Sequence, residues 1–462
     1  MSLISSLYTG KSALISRQTE MATIGSNVAK ADQEGYHRQE AILVENFPLE
    51  TGNLQVGTGT HVEQVIRHFD SALENNLENA LEQESYYKDY HKYIQTLEQV
   101  VAQDGESALN EAMTLFANSL QNLSQDPESE TFRRSLLANA ERLAETFNNQ
   151  HSLMTNVRDQ IASSSTVGVL PEKVADLNSL AQELADLNTL IVSTEMTMIR
   201  NQQAIDFRDQ RDQVIKEMAK LASVSFSEQT DGSYTVSIGG RTMVTGGTVN
   251  DTLQHALNAG PPPSPAVTWV SDSAALASPN VGAIDGLIDA YNYIQSSIGD
   301  LETYATTFAT EMNTQHGLGF DIAGNAGTDM FDASTAGAMT VLITDPDLVA
   351  AADNATNTGD GDNALAMWNR LNAPLAGIGN DTLRNHADRL VDIVAIEKNR
   401  AETLYNSSSS SVDMFKSLIA QKTGVSIDEE MVDMLETQRA FQGAAKFVRA
   451  VDELIQVVIN LV

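Results

Sequence analysis

The two ends of the chain carry the strongest apolar periodicity of the sequence. From Leu3 to Val28, and again from Met431 to Ile459, apolar residues recur at alternating steps of four and three, the spacing of paired helices. A second apolar stripe makes the last turns of the C-terminal helix apolar nearly all round, and such a helix must be buried. We expect both terminal helices to form an assembly interface, whose predicted residues are Leu3, Leu7, Leu14, Met21, Ile24, Val28, Met431, Met434, Phe441, Val448, Leu454, Ile455, Val458 and Ile459.

Between the ends, several long helical stripes predict a helix bundle, and one segment of alternating residues predicts strands. The turn at Asp231 and Gly232 lies inside that segment. The predicted fold is mainly α with a small β insertion: a long helical bundle with terminal N/C coiled-coil helices and a β-rich outer domain. The predicted domains are a terminal coiled coil (1–45 and 423–462), a bundle (46–221 and 282–422) and a β-rich outer domain (222–281), with 316–345 as its candidate neighbour.

The serine run Ser407 to Ser411 has two interpretations. Its composition is typical of a flexible linker, but Val412, Phe415 and Ile419 continue a helical spacing beyond it. The sequence alone leaves the two interpretations equal.

Charge and composition exclude several classes of function. The 462 residues include 62 acidic and 28 basic side chains and no cysteine, which gives a net charge of −34. This charge disfavours binding to nucleic acid and to anionic membranes. The lack of cysteine removes disulfides, thiolate catalysis and cysteine-ligated zinc. No apolar run is long enough to span a membrane, and the first residues lack the features of a cleaved signal peptide.

No group of residues predicts catalysis, a cofactor or a metal. The eight histidines lack the spacing of a helical zinc site, and Asp360 and Asp362 lack the glutamate that completes a calcium loop, which favours a turn. The charged run from Asp206 to Asp212 favours an exposed helix face, with Arg208 and Asp212 as an ion pair. The residues therefore predict assembly, and we expect no enzyme.

Several motifs resemble those of a known family. The segment Ser26-Asn27-Val28-Ala29 is similar to the N-terminal signature of flagellar rod, hook and hook-associated proteins, and Gly35-Tyr36-His37-Arg38-Gln39 resembles the GYxRQ element of the FlgK family. The DQRD sequence at 209–212, the DGxY turn at 231–234 and GVSIDEEMV at 424–432 also resemble this family. The motif residues are Ser26, Asn27, Gly35, Tyr36, Arg38 and Gln39, and their individual roles are unassigned.

The resemblance implies a structural subunit at the hook–filament junction of the bacterial flagellum. Its implied partners are the hook protein, the next hook-associated protein toward flagellin, further copies in a ring, and a cytosolic export chaperone bound to the C-terminal region. It implies an extracellular location reached by flagellar type III export without a cleaved signal peptide, and terminal helices that become ordered on assembly.

Two alternatives remain beside the junction subunit. The chain could be another axial subunit of the hook, rod or flagellin type, or a secreted enzyme with its centre in the β insertion. One departure from the resembled family lies between Phe331 and Asp345, where only residues 332–344 stand in place of an outer domain. We expect a reduced outer surface.

Overall fold

The computed structural model describes residues 3–33, 35–51, 54–102, 108–197, 202–258, 260, 262–277, 281–332 and 335–460; residues 1, 2, 34, 461 and 462 of the predicted terminal domain lie outside this set. The helices are α1 (Leu3–Lys30), α2 (Ser71–Val101), α3 (Ala108–Gln125), α4 (Glu130–Ile161), α5 (Val169–Thr197), α6 (Ile205–Leu221), α7 (Ala283–His316), α8 (Asp362–Leu371), α9 (Leu383–Thr423) and α10 (Ile427–Asn460). The strands are β1 (Gln39–Glu45), β2 (Leu49–Thr51), β3 (Leu54–Val56), β4 (Thr60–Arg67), β5 (Val224–Glu228), β6 (Tyr234–Ile238), β7 (Arg241–Thr245), β8 (Thr248–Val249), β9 (Leu253–Asn258), β10 (Ser264–Trp269), β11 (Phe331–Asp332) and β12 (Thr340–Val341). The predicted fold class, mainly α with a small β insertion, is confirmed.

The bundle is built around long helices that pack lengthwise. Helix α2 lies along α7 and α9, and α4 lies along α3 and α7. Four aromatic rings fill the centre: Phe308 lies 5.5 Å from Phe116 and 5.1 Å from Phe331 between ring centroids, and Phe147 packs beside it. All four rings are fully buried. Edge-to-face contacts of this kind add to the free energy gained by burial.

The serine run lies inside α9, so the linker interpretation is wrong. The Ser408, Ser410 and Ser411 hydroxyls donate to the carbonyl oxygens four residues earlier, over 2.8 to 3.1 Å. These bonds satisfy the hydroxyls within the helix and allow a polar run to remain helical.

The β insertion is a four-stranded antiparallel sheet in the order β5-β6-β7-β8, followed by the β9–β10 hairpin. Gly232 lies at the turn before β6 with φ of 83°, a conformation that favours glycine. Asn188 of α5 fixes the sheet to the bundle: its Nδ2 donates to the carbonyl oxygens of Tyr234 and Gly246, and its Oδ1 accepts from the Tyr234 N–H.

Residues 316–345 pack on the bundle. His316 is fully buried, its Nδ1 contacts the Thr328 carbonyl oxygen at 2.6 Å, and its Nε2 accepts from the Ala350 N–H. The backbone of Met339 exchanges two hydrogen bonds with Asn148 of α4. This segment contacts α4 and α7, and its packing near the β insertion stays a prediction.

A β ribbon accompanies α1. Strands β1 and β4 are antiparallel, with Gln39 opposite Arg67 and an irregularity between Ile42 and Leu43. The Ser16 hydroxyl of α1 donates to the Thr60 carbonyl oxygen. Residues 60–67, which the sequence placed in the bundle, therefore contact the terminal helix. We call α1, α10 and this ribbon the terminal unit.

The aromatic centre generates a stability prediction. Phe308→Ala should lower the free energy of unfolding by about 3–5 kcal/mol, because it removes a fully buried ring and leaves a cavity. Urea titration monitored by circular dichroism measures the change. Leu190→Ala, which truncates an exposed side chain on α5, is the control and should change it by less than about 0.5 kcal/mol. Equal midpoints for the two variants would contradict this role of Phe308.

Candidate assembly interface

Helices α1 and α10 pack antiparallel. Gly10 of α1 faces Val448 of α10, and Asn27, near the other end of α1, bonds to Glu430, near the start of α10. A Cβ added to Gly10 would lie only 2.5 Å from Val448 Cγ2. A larger side chain at this position of the stripe would therefore displace α10.

The structure divides the predicted interface residues into two groups. The first group is buried or half-buried in the terminal unit: Leu3, Leu7, Leu14, Met21, Ile24, Val28, Met434, Phe441, Val448 and Ile455. The second group is exposed on α10: Met431, Leu454, Val458 and Ile459. Most of the predicted interface residues therefore lie within the terminal unit, and four of those on α10 remain exposed.

The two helices also carry a set of exposed apolar side chains. Its members are each between 46% and 67% exposed, and we call them the terminal apolar surface: Ile4, Tyr8, Ile15, Leu435, Phe447, Leu454, Val457, Val458 and Ile459. Single exposed apolar residues are ordinary, but contiguous apolar surface marks sites of association. The terminal unit thus presents a surface suited to another protein chain.

The motif residues surround one buried carboxylate, that of Glu430. Arg38 Nε donates to Glu430 Oε1 over 2.6 Å, and Asn27 Nδ2 donates to Glu430 Oε2 over 2.9 Å. The Asn27 Oδ1 accepts from the Tyr36 hydroxyl and from the Gln39 N–H, over 2.8 and 2.9 Å. Glu430 and Asn27 are each only 1% exposed. We call these five residues the Glu430 clasp; they join α1, the loop after it and α10.

The other two motif residues lie beside the clasp. Ser26 is half-buried on the turn of α1 that carries Asn27. Gly35 has φ of 79°, and a Cβ there would lie 2.9 Å from the Gln213 Oε1 of α6. Glycine therefore allows both the turn and the close approach to α6.

A group of buried charges connects the terminal unit to the bundle, and we call it the charge cluster: His37, Arg67, Glu74, Asp209, Asp212 and Lys216. His37 bridges two helices, with Nδ1 2.9 Å from Asp209 of α6 and Nε2 3.2 Å from Glu74 of α2. Burial disfavours the imidazolium, but the hydrogen bonds to Asp209 and Glu74 outweigh burial and raise the pKa of His37.

Arg67, at the end of β4, completes the charge cluster. Its Nη1 donates to Asp209 over 2.8 Å and to Asp212 over 2.6 Å, and its guanidinium lies over the Phe69 ring. Burial raises the pKa of the Asp212 carboxyl despite this partner. A buried pair of this kind is costly to break, since the remaining charge has no water to solvate it.

Glu74 of this cluster shares one face of α2 with Glu78 and Glu82. Burial is the main cause that raises the pKa of Glu78 to about 8 and that of Glu82 to about 7. Glu82 Oε1 accepts a hydrogen bond from the Val224 N–H at the start of β5. This bond favours the charged form of Glu82 and offsets part of the rise in its pKa. Glu74, by contrast, has a lowered pKa because its bonds to His37 and Lys216 outweigh burial.

The interpretation of residues 206–212 as an exposed charged face is wrong. Arg208, Asp209, Arg211 and Asp212 are all at most 8% exposed. Arg208 does not pair with Asp212; it binds Glu195 and Glu228 over 2.7 and 2.6 Å. Helical spacing showed that Arg208 and Asp212 share a face, but not that β4 supplies Arg67 to this face.

Arg211 connects α6 to the sheet. Its Nη1 donates to the Gly232 carbonyl oxygen over 2.7 Å, and its guanidinium lies 3.3 Å from the centroid of the Tyr234 ring. The motif DQRD therefore links the charge cluster on one side of α6 to the DGxY turn on the other.

Sequence reasoning missed three residues of this site as functional candidates: His37, Arg67 and Glu430. His37 lies inside the GYxRQ element and Glu430 inside GVSIDEEMV, but these motifs are far apart in the sequence and no spacing relates them to each other or to Arg67. The sequence does not indicate that Glu430 is buried. Acidic residues are common in the first turn of a helix, and its neighbours Asp428 and Glu429 are exposed, as expected there.

Outside the terminal unit, one acidic group has the spacing of cation ligands. The carboxylates of Asp353, Asp360 and Asp362 lie within 4.8 Å of one another. Asp360 Oδ1 accepts the Asp362 N–H over 2.8 Å at the start of α8, consistent with a turn.

Among the described residues, no helix combines the length and apolar character needed to cross a membrane.

Comparison with known proteins gives two family matches. Residues 94–331, more than half of the chain, match the model described as the helical domain of flagellar hook-associated protein FlgK. Residues 420–461 match the C-terminal model of the flagellar basal body rod FlgEFG proteins.

Individual relatives agree with the first match. Flagellar hook-associated protein 1 of Bacillus subtilis is 27% identical and aligns over 98% of this chain and 97% of its own length. The protein of the same name from Salmonella typhimurium is 29% identical over 69% of this chain, but this alignment spans only 58% of the Salmonella protein. The structure of the flagellar hook junction protein FlgK from Burkholderia pseudomallei has the same fold, with a TM-score of 0.62, 16% identity and coverage of 76% of this chain and 100% of that one.

The Glu430 clasp generates a prediction about local stability. Glu430→Ala should increase tryptic cleavage within α10 about tenfold or more, because it removes the charged partner of both Arg38 and Asn27, a loss of about 1.5–3 kcal/mol. Asp433→Ala is the control, since Asp433 is largely exposed and lies 3.3 Å from Arg38 Nη2. Equal cleavage of the two variants would contradict the clasp.

Glu78 generates a prediction about pH. Because its pKa is raised from 4.5 to about 8 on folding, its contribution to stability is fully present below pH 4.5 and is lost as the pH rises to about 8. Glu78→Gln should therefore be more stable than the parent at pH 9, and this advantage should shrink toward pH 5. Urea titrations across this range measure it, with exposed Glu141→Gln as the control. A constant difference at all pH values would contradict the assignment.

Proposed function

Since the chain belongs to the family of the flagellar hook-associated protein FlgK, we propose that it is a structural subunit of the bacterial flagellum at the junction between hook and filament. The observation that carries the proposal is the terminal apolar surface on the α1–α10 pair. About half or more of each of these side chains stays in contact with water in the single chain. Full burial of each one is favourable by about 1.5–3 kcal/mol of free energy.

In this proposal neighbouring copies bury the terminal apolar surface in a ring. Each copy contacts the copy before it and the copy after it with two different surfaces. Such contacts form a closed ring when the repeated rotation brings the last copy back to the first. The hook protein occupies one side of the ring, and the next hook-associated protein occupies the other. Such a subunit is structural and requires no catalytic residue or cofactor.

The same surface supports an export route for the chain. Before assembly, the exposed face of α10 needs a cover, because free apolar surface promotes aggregation. We assign this role to a cytosolic export chaperone that binds the C-terminal region. Export through the flagellar type III channel without a cleaved signal peptide then brings the subunit to its extracellular site.

A second candidate is another axial subunit, of hook or rod type. The match of residues 420–461 to the rod C-terminal model favours it for α10 alone. The FlgK match at 94–331 covers helices α3 to α7 and the β insertion, and it supports the junction assignment for just over half of the chain. Growth of long tubes from the purified protein alone would favour the second candidate.

Substitutions on the terminal apolar surface test the proposal. Leu454→Asp and Val458→Asp should each abolish incorporation into flagella and motility, because a carboxylate at this interface would lose its water. Immunoblots of purified flagella and swimming assays, in cells that carry each variant in place of the original gene, measure the effect. Circular dichroism should show an intact bundle.

The matched control is Leu190→Asp, which places the same carboxylate on α5 at a site of similar exposure. It should leave incorporation unchanged. Normal incorporation of both α10 variants would overturn the assembly role of this surface.

A further inference from the structure

Helix α10 has an acidic stretch and then a cationic stretch, after which come two further carboxylates, Asp452 and Glu453. Its first ten residues contain five carboxylates: Asp428, Glu429, Glu430, Asp433 and Glu436. The next stretch, 437–451, contains Arg439, Lys446 and Arg449 and no acidic residue. In a chain with a net charge of −34, an uninterrupted cationic stretch is unusual, and it lies on the helix proposed to meet neighbouring copies.

The cationic stretch has no acidic partner among the described residues. Arg439, Lys446 and Arg449 are exposed, and the ion pairs found in the described chain do not include them. Lys11 of α1, opposite this part of α10, is also exposed and adds a fourth positive charge. The middle of the terminal unit is therefore a cationic face that its own chain leaves unpaired.

The acidic stretch lines a groove. An open groove with about 1230 Å³ of empty space lies between α1, β1 and α10, and it is lined by the acidic residues Glu20, Glu40, Glu430, Asp433 and Glu436. Its two guanidinium groups are already engaged, Arg17 with Glu20 over 2.6 Å and Arg38 with the clasp. The groove is therefore acidic and complements a cationic segment.

We propose that the cationic stretch 439–449 of one copy docks on the acidic groove of the next copy, and that this pairing fixes the axial offset between neighbours. The proposal rests on the proposed function, because it requires copies packed side by side through their terminal units. The acidic stretch is centred near residue 431 and the cationic stretch near residue 445. These two positions lie roughly 20 Å apart along α10, and this distance sets the offset between neighbouring copies.

Charge and apolar contacts have different roles in this arrangement. The terminal apolar surface supplies adhesion that is non-directional, so neighbouring helices could slide along one another. Opposite charges add specificity, because any other offset brings like charges together. Since every copy carries a strong negative charge, the pairing also offsets part of the repulsion between copies.

Charge reversal tests the proposal. The cationic reversal combines Arg439→Glu, Lys446→Glu and Arg449→Glu, and the acidic reversal combines Glu20→Lys, Glu40→Lys and Glu436→Lys, all of which line the groove. The acidic set avoids Glu430 and Asp433, which hold Arg38. Each reversal alone should reduce incorporation into flagella at least tenfold. The combined swap, with both sets in one chain, should restore incorporation to within twofold of the parent, because opposite charges face each other again.

The control reverses three exposed cations of the bundle, with Lys88→Glu, Arg134→Glu and Arg142→Glu, and it changes the net charge by the same amount as the cationic reversal. It should assemble normally. A neutral set, Arg439→Gln, Lys446→Gln and Arg449→Gln, should give an intermediate loss, and circular dichroism verifies the helix content of every variant.

Several results would overturn the proposal. Normal incorporation of either reversal would show that the charges do not fix the offset. Loss that the combined swap fails to restore would assign the cationic stretch to another partner. If the reversals assemble while Leu454→Asp does not, this inference fails and the proposed function stands; if Leu454→Asp and Val458→Asp also assemble, the proposed function fails with it.

Discussion

The buried carboxylate of Glu430 is the interaction on which the terminal unit depends. A carboxylate that is 1% exposed is stable only with charged or hydrogen-bonding partners, and these come from two other parts of the chain. Asn27 belongs to α1, Arg38 to the loop before β1, and Glu430 to α10. The clasp therefore joins segments from the two ends of a 462-residue chain through buried polar groups, and both helices extend away from it.

From this point, burial decreases toward the distal end of α10, while buried ion pairs continue into the bundle. His37 and Arg67 follow the clasp in the loop and the ribbon, and they carry the connection into α2 and α6 through Glu74, Asp209 and Asp212. In the other direction, Val451 is the only buried α10 residue beyond Thr437 in the described part of the helix. A firmly held base and a poorly buried distal part suit a subunit whose ends complete their packing against neighbours.

Periodicity predicted the parts of the fold that depend on one segment at a time. The terminal stripes, the bundle helices and the β insertion near Asp231 were all visible as local patterns, and family motifs located Asn27, Tyr36 and Arg38. The roles of these residues were not predictable, because each role is a contact between distant segments. Arg208 is the clearest case: the helix spacing predicted a pair with Asp212, whereas α5 and β5 supplied Glu195 and Glu228. The conformation of the serine run likewise could not be predicted from the sequence. Its composition favoured a flexible linker, whereas the apolar spacing after it favoured a continued helix.

Hydrogen exchange, followed by mass spectrometry in the free chain and in assembled flagella, tests the central claim most directly. The account predicts that residues around the clasp, near 27 and 430, are protected in both states. Residues 3–15 and 447–460 should exchange rapidly in the free chain and become protected on assembly. Equal and strong protection of these distal segments in the free chain would mean that they already complete their packing within one molecule, and it would contradict a terminal unit that finishes its core with its neighbours.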